Sequence, residues 1–273
     1  MRRSVLAAAV ATLAVLVMAP APAAARTAAP DPVRALKKQL KAERGVKLTE
    51  VSKPGTSTSR IRAKSGVQLS PSGPVAAYSV MEPVGEPGEP VETLTFRRSA
   101  YLGGAAVAQL LPEGKSWVGA EAAKGVTIDP TSLASRQPIN VFDPAVLKAT
   151  LKGERARPVS GGYLYQGVVT YQELYEASRS FYAGKGRSKR KISYRLWIDR
   201  EGLIQRLRTQ EDLGWGEEKY LATADTRYSD WGHRLVISPP AEDEVLPYEE
   251  FRNLRMPDPL EGPVPEDAFA GLR

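Results

Sequence analysis

The chain has 273 residues, ordinary apolar content and a formal net charge of +7, with no cysteine and a single histidine. The lack of cysteine excludes disulfides, thiolate metal sites and lipid attachment through an N-terminal cysteine. Catalysis by histidine would depend on His233 alone. The positive charge favours anionic surfaces such as lipid headgroups or wall polymers.

The N-terminus has the pattern of a secretory signal. Arg2 and Arg3 precede an apolar run over residues 5–18 that is interrupted by Thr12 alone, and residues 23–25 are alanines suited to a signal peptidase. The run is too short and wrongly flanked for a stable membrane span. We therefore expect cleavage after residue 25 and a mature protein that is secreted, extracellular or cell-wall associated, without a lipid anchor.

Two cap-plus-proline pairs predict helices. Asp31-Pro32 offers an N-cap followed by proline at the first helical position, and an amphipathic helix is predicted from there to Gly45. Asp143-Pro144 repeats this arrangement before a second helix, which Gly153 is expected to end. A third short helix is predicted over residues 171–182.

Alternating apolar and polar residues between turn residues predict strands in most of the remaining chain. The predicted strands are 46–51, 59–64, 75–80, 91–97, 115–120 and 162–170, a hairpin over 191–210, and 218–228 and 233–238 joined by a turn at Asp230-Trp231-Gly232. Such even spacing is typical of a meandering antiparallel sheet. Beyond residue 245, proline and acidic residues predict an extended tail.

The hairpin over 191–210 has the clearest pattern, since apolar residues occupy positions 192, 194, 196 and 198. A two- or four-residue turn around Glu201-Gly202 would place Leu203, Gln205 and Leu207 on the same face as Ile198. A three-residue turn would place these residues on the opposite face, because the side-chain period of a strand is two. We also predict a positive φ at Gly202, since glycine adopts that geometry without strain.

Motifs for catalysis or metal binding are scarce. Ser188-Lys189-Arg190-Lys191 satisfies Ser-x-x-Lys but lies in a basic loop, and the sequence has no Gly-x-Ser-x-Gly elbow. An all-oxygen metal site remains open, although no Asp-x-Asp-x-Asp-Gly loop occurs. A carboxylate pair for glycoside hydrolysis has no characteristic sequence spacing, so that alternative stays open. The sequence predicts no cofactor and no enzymatic activity.

Several short fragments, taken in order, resemble a known family. They lie at residues 35–40, 44–50, 111–117, 170–175, 194–199 and 228–232. In this order they resemble actinobacterial exported proteins of the LolA-like/LppX lipoprotein-carrier family, over about residues 33–245. The resemblance implies an α+β fold, in which helices cover the concave face of a strongly curved antiparallel sheet (a half-barrel) and an apolar ligand space lies between them. Many relatives carry a lipid-anchoring cysteine, which this chain lacks.

Together, the resemblance and the scarcity of catalytic motifs predict a secreted, non-enzymatic protein that binds or carries lipid or another hydrophobic ligand. The predicted organisation is a signal peptide over 1–25, one half-barrel domain over 26–245 and a tail over 246–273. Strand alternation predicts that the cavity is lined by Leu94, Phe96, Leu164, Val168, Leu196 and Ile198. The expected partners are a lipid or acyl-chain ligand and, transiently, an anionic envelope surface, but no nucleic acid, and the chain is expected to be a monomer. The alternative is a regulator or sensor of the same fold that binds another envelope protein.

Overall fold

The computed structural model describes residues 29–55, 57, 59–85, 87–179, 188–214 and 220–254. The described strands are β1 (Arg44–Lys53), β2 (Arg60–Ser70), β3 (Gly73–Val84), β4 (Val91–Phe96), β5 (Ser99–Gly103), β6 (Trp117–Glu121), β7 (Arg157–Val159), β8 (Gly162–Thr170), β9 (Lys191–Asp199), β10 (Ile204–Asp212), β11 (Leu221–Arg234) and β12 (Val245–Pro247). The described helices are α1 (Pro32–Gln39), α2 (Ala105–Ala108), α3 (Pro144–Thr150), α4 (Tyr171–Ala177) and α5 (Tyr248–Asn253), and 3₁₀ turns occupy Pro130–Ser132 and Glu242–Glu244. The predicted signal peptide lies outside the described residues.

All these strands form one open sheet in the order β12-β6-β5-β4-β3-β2-β1-β11-β10-β9-β8-β7. Its neighbouring strands are antiparallel, except that β12 runs parallel to β6. Strand β1 lies between two wings: the first wing is β2–β6 with β12, and the second wing is β7–β11. The predicted α+β class, an unclosed antiparallel sheet with helices on one face, is confirmed.

The second wing carries most of the apolar core on its inner face. Leu196, Ile198 and Leu207 point inward and are almost fully buried. Helices α1, α3 and α4 cover them with Leu36, Val146, Leu147 and Leu174. Because full burial of such a side chain stabilises the fold by roughly 1.5–3 kcal/mol, this layer supplies much of the hydrophobic stabilisation.

Helix α1 begins where the sequence predicted and ends earlier. The Asp31 carboxylate accepts hydrogen bonds from the amides of Val33 (2.9 Å) and Arg34 (3.3 Å), as expected for an N-cap followed by Pro32. The predicted end at Gly45 is wrong, because α1 stops at Gln39 and Gly45 lies within β1. A Cβ atom at position 45 would lie 2.6 Å from the Cβ of Leu235. Close packing, not helix termination, therefore explains this glycine.

Helices α3 and α4 follow their local signals. Asp143 caps α3 by accepting from the amides of Ala145 (2.7 Å) and Val146 (3.4 Å). A capping box between Thr170 and Glu173 starts α4. Helix α4 ends at residue 177, so the prediction of helix at residues 178 and 179 is wrong. The rest of the predicted continuation, residues 180–182, lies outside the described residues.

The hairpin of β9 and β10 confirms the predicted inward face of Leu207, but the prediction is wrong for Gln205, which is exposed while Ile204 is buried. Ile204 pairs with Ile198 and Leu207 with Leu196, with a register shift between residues 204 and 206. This β-bulge adds one residue and keeps the apolar side chains of both strands on the inner face. Gly202 has φ +89°, as predicted.

Two corrections concern the last third of the chain. The predicted turn at 230–232 lies inside a single strand, β11, opposite a register shift in β1 between Gly45 and Lys47. These residues therefore form a bulge with positive φ at Asp230 and Gly232, not a connection between two strands. Residues 246–254, predicted as tail, instead belong to the fold. Their composition is rich in proline and acid, but Leu246 and Phe251 anchor them in a small second core.

The sequence also missed strand β5 and helix α2. Strand β5 contains only five residues, mostly small, and α2 contains four, so neither has a sustained periodic pattern. Both lie in the first wing, where Leu102 and Val107 join Val118, Leu246 and Phe251 in the second core. The sheet is therefore wider than the sequence predicted.

Candidate functional site

Two of the six predicted cavity residues lie in the packed core. Leu196 and Ile198 are 1% and 2% exposed and contact the covering helices within the main apolar cluster. They face inward, as predicted. Their surroundings are filled by other side chains, so they act as core residues here and not as an accessible lining.

The other four lie on the outer face of the sheet. Leu164 pairs with Trp197, which follows the inward-facing Leu196 and therefore points to the outer face. Val168, on the same strand as Leu164, is 56% exposed. In the first wing, Thr93 and Thr95 point inward and are buried, so Leu94 and Phe96 point outward. Alternation within one strand does not reveal which of the two residue sets faces inward, and this choice was wrong for β4 and β8.

A buried glutamate joins the inner face to the segment that follows the first 3₁₀ turn. We call residues 133–137 the latch segment. Glu50 is 2% exposed and accepts hydrogen bonds from Ser135 Oγ (2.5 Å), the Arg136 amide (3.0 Å) and Thr226 Oγ1 (2.8 Å). Burial, with a contribution from the Glu50 charge, raises the pKa of the nearby Tyr228 phenol.

Gln137 continues this network towards the second wing. Its Nε2 donates to Thr226 Oγ1 (2.8 Å) and to the Leu207 carbonyl (3.0 Å), while its Oε1 accepts from Thr209 Oγ1 (2.7 Å). These bonds satisfy the buried amide and hold the latch segment against the sheet. The remaining space beneath the segment is a cavity of about 10 Å³ beside Glu50, room for at most one water molecule.

A much larger cleft opens beside the helical cover. Its volume is about 860 Å³, and its walls come from the end of α1, the β2–β3 turn, residues 127–130 and residues 140–144. Leu40, Ile128 and Phe142 supply apolar surface, while Lys37 and Arg97 supply positive charge. The cleft thus lies where the helices over the second wing meet the turns of the first wing.

The charged residues of the cleft differ in how they are engaged. The Arg97 guanidinium donates to the carbonyls of Pro74 (3.0 Å) and Ser72 (3.0 Å) and so supports the β2–β3 turn. Lys37 is exposed on the last turn of α1. The cations therefore comprise one positioned guanidinium and one exposed ammonium group.

Two carboxylates also line the cleft, and both are occupied by local hydrogen bonds. Asp129 accepts from the amide and hydroxyl of Thr131 (2.8 and 2.7 Å) and from Asn140 Nδ2 (2.8 Å). Burial raises the pKa of the Asp129 carboxyl above its usual 3.8, although these hydrogen bonds oppose the shift. Asp143 serves as the N-cap of α3. Both carboxylates thus accept hydrogen bonds that hold neighbouring loop and helix residues in place, a structural role and not the arrangement expected of a group that transfers protons.

The residues of the cleft were not predicted from the sequence. One signal was available, because residues 122–143 separate β6 from α3 with no element except one 3₁₀ turn. Connections of this length are uncommon in compact domains and are often functional. Across the described ranges, there is no cluster of three or more His, Cys, Asp or Glu residues suited to a metal ion. Within the same ranges, every helix is too short or too polar to cross a membrane.

The sequence matches no family model and no curated protein. Among solved structures, it is similar to LprF from Mycobacterium bovis, with 15% identity over 77% of this chain and 95% of that chain, and a TM-score of 0.43. The lipoprotein LppX from Mycobacterium tuberculosis is 14% identical over 76% and 96%, with a TM-score of 0.40. The structure of the MucA/MucB complex of Pseudomonas aeruginosa is 15% identical over 78% of this chain and 58% of that chain, with a TM-score of 0.29. LppX, named in the expected resemblance, is thus among the similar structures, but similarity at this level transfers no ligand to this chain.

Proposed function

We propose that this chain is an exported, non-enzymatic binding protein that holds one lipid or other acyl-chain amphiphile in the cleft beside α1. The observation that carries the proposal is the cleft itself. Its volume of about 860 Å³ lies in the usual range of ligand pockets, roughly 300–1,000 Å³. Export is proposed from the signal pattern over residues 1–25.

The lining of the cleft suits a molecule with one apolar and one anionic end. Leu40, Ile128 and Phe142 would contact the chain, and each buried methylene would contribute about 0.8 kcal/mol. Lys37 would attract an anionic headgroup at the exposed side. This placement replaces the predicted ligand space between sheet and helices, since the residues there pack against one another.

The engagement of the cleft acids supports a binding role over a hydrolytic one. Asp129 and Asp143 accept hydrogen bonds from neighbouring loop and helix groups. A carboxylate used in this way would have to leave its donors unpaired in order to serve as a base or nucleophile.

A second candidate function is the binding of a peptide segment from another envelope protein. The packed interior favours it, because a carrier that encloses an acyl chain needs internal space and the small cavity beside Glu50 offers about 10 Å³. The same open cleft would then take an extended peptide in place of an amphiphile.

Lipid extraction and titration distinguish the two candidates. Protein purified from its own host is extracted with organic solvent for mass spectrometry, and refolded protein is titrated with a fluorescent fatty acid. Filling the cleft by Ile128→Trp is expected to weaken fatty-acid binding at least tenfold. The matched control Val126→Trp alters an exposed residue of the same loop outside the cleft and should leave the affinity unchanged.

The headgroup is tested with Lys37→Gln. This change should weaken binding of a fatty acid more than binding of the corresponding fatty alcohol. Lipid-free extracts, together with no fatty-acid binding by the wild-type protein, would contradict the amphiphile proposal and favour the peptide-binding alternative.

A further inference from the structure

The outer face of the second wing carries two pairs of directly opposed arginines. Arg195 on β9 pairs with Arg208 on β10, and Arg206 on β10 pairs with Arg227 on β11. We call these four residues the arginine patch. Like charges placed directly opposite one another destabilise a sheet. Because the same unfavourable pairing occurs twice on neighbouring positions of one face, we take these arginines to have a role other than stabilising the fold.

One carboxylate partly neutralises the patch. Asp225 accepts from Arg206 Nε (2.7 Å) and Nη2 (2.5 Å) and lies 3.3 Å from Arg208 Nε. Arg195 and Arg227 are exposed and form no salt bridge with any residue in the described part of the chain. The patch therefore keeps a local excess of positive charge, with two guanidinium groups open to a partner.

Apolar side chains lie beside the patch on the same face. The Arg206 guanidinium lies 5.1 Å from the centroid of the Trp197 ring, and Leu164 pairs with Trp197. Further along β8, Val168 is 56% exposed. Tryptophan with neighbouring arginine and aliphatic residues is typical of protein surfaces at the headgroup level of a bilayer.

We propose that the arginine patch, with Trp197, Leu164 and Val168, docks this protein on an anionic phospholipid surface. The guanidinium groups would bind lipid phosphates, for which their paired donors are suited. The apolar residues would enter the headgroup region, a contact that a soluble polyanion does not offer. Docking through the outer face would turn the helix-covered face away from the membrane. This inference does not depend on what the cleft binds.

Vesicle co-sedimentation tests the charge requirement. The full-length mature protein is mixed with vesicles of phosphatidylglycerol and phosphatidylcholine in equal parts, or of phosphatidylcholine alone. The double variant Arg195→Gln/Arg227→Gln should bind the anionic vesicles about 25-fold more weakly, about fivefold for each arginine. The control Arg34→Gln/Lys38→Gln removes two charges from exposed positions of α1 and should change binding less than twofold. Binding by the wild-type protein should fall as salt rises.

The melting temperature separates docking from folding. Because the Arg195 and Arg227 changes relieve repulsion between paired strands, the patch variant should melt at the wild-type temperature or above it. Equal losses in the patch and control variants would show that net charge alone drives binding, and would overturn the proposal.

Val168→Gln tests the apolar requirement without changing the charge. This variant should bind anionic vesicles more weakly and bind soluble polyphosphate as the wild-type protein does. If Val168→Gln leaves vesicle binding unchanged and the arginine variant loses polyphosphate binding, the patch is a site for a soluble polyanion and the membrane proposal is wrong.

Discussion

The two wings of the sheet bury their inner faces by different means. In the second wing, Leu196, Ile198 and Leu207 pack against three helices. In the first wing, Ser65 and Thr93 are buried on the same inner face, and Ser65 Oγ donates to the Ala134 carbonyl of the latch segment (2.7 Å). The first 3₁₀ turn also packs against β3 and β4 of that wing.

The difference between the two wings shows that apolar burial and buried hydrogen bonds contribute differently: the first stabilises the fold, and the second positions the segments that cover the sheet. Apolar burial is non-directional and scales with area, so the second wing can supply much of the folding free energy without defining one arrangement of its cover. Buried hydrogen bonds are directional, and an unpaired partner is costly, so Ser65 of the first wing, Glu50 of β1 and the second-wing partners of Gln137 together define where the latch segment lies. The cleft opens at the seam between these two kinds of cover, with α1 and residues 140–144 on one side and the β2–β3 turn on the other.

The largest expected effect concerns the apolar wing. Leu196→Ala should lower the free energy of unfolding by about 3 kcal/mol, because a buried leucine is lost and a cavity remains. Val168→Ala on the neighbouring strand is the matched control and should change it by less than about 0.5 kcal/mol. Urea denaturation monitored by circular dichroism measures both. Similar losses for the two variants would contradict the assignment of inner and outer faces.

A smaller effect is expected at the junction of the wings. Glu50→Ala should lower the free energy of unfolding by about 2 kcal/mol, because Ser135, Arg136 and Thr226 lose their acceptor. Amide hydrogen exchange should also accelerate in the latch segment more than in β9. Thr49→Ala alters the adjacent exposed residue of β1 and serves as the control. If amide exchange in the latch segment of the Glu50→Ala variant remained at the wild-type rate, the hydrogen bonds to Glu50 would not be what positions the segment.

The smallest effect concerns the contact between a sheet turn and the helical cover. Gly202→Val should lower the free energy of unfolding by about 1.5 kcal/mol, because φ is +89° and the new Cβ would lie 3.2 Å from Ala35 Cβ in α1. Gly161 has φ +84° with open space around it, so Gly161→Val isolates the backbone contribution. Thermal melting should show the larger loss for Gly202→Val. A larger loss at Gly161 would mean that the contact with α1 is unimportant.

Local signals predicted many of the elements. The caps at Asp31 and Asp143, the periodicity of β9 and the glycine turn at position 202 each depend on residues close in sequence. The sequence did not predict the site, because the cleft combines residues from α1, the β2–β3 turn and the long connection before α3. These segments are far apart in the chain and show no shared pattern.

The sequence by itself determined an antiparallel sheet accompanied by a few short helices, because strand alternation and helix capping are local properties. The placement of the helices on one face of the sheet was implied by the family resemblance. Only the tertiary structure decided which alternating set of residues faces inward. That choice depends on strand register and on the bulges in β10 and β11, and one residue of shift moves every side chain to the other face. It placed Leu164 and Val168 on the outer face beside the arginine patch. The tertiary structure also decided that Glu50 and Gln137 are buried. Their polar groups find hydrogen-bond partners only after folding, because those partners are distant in sequence.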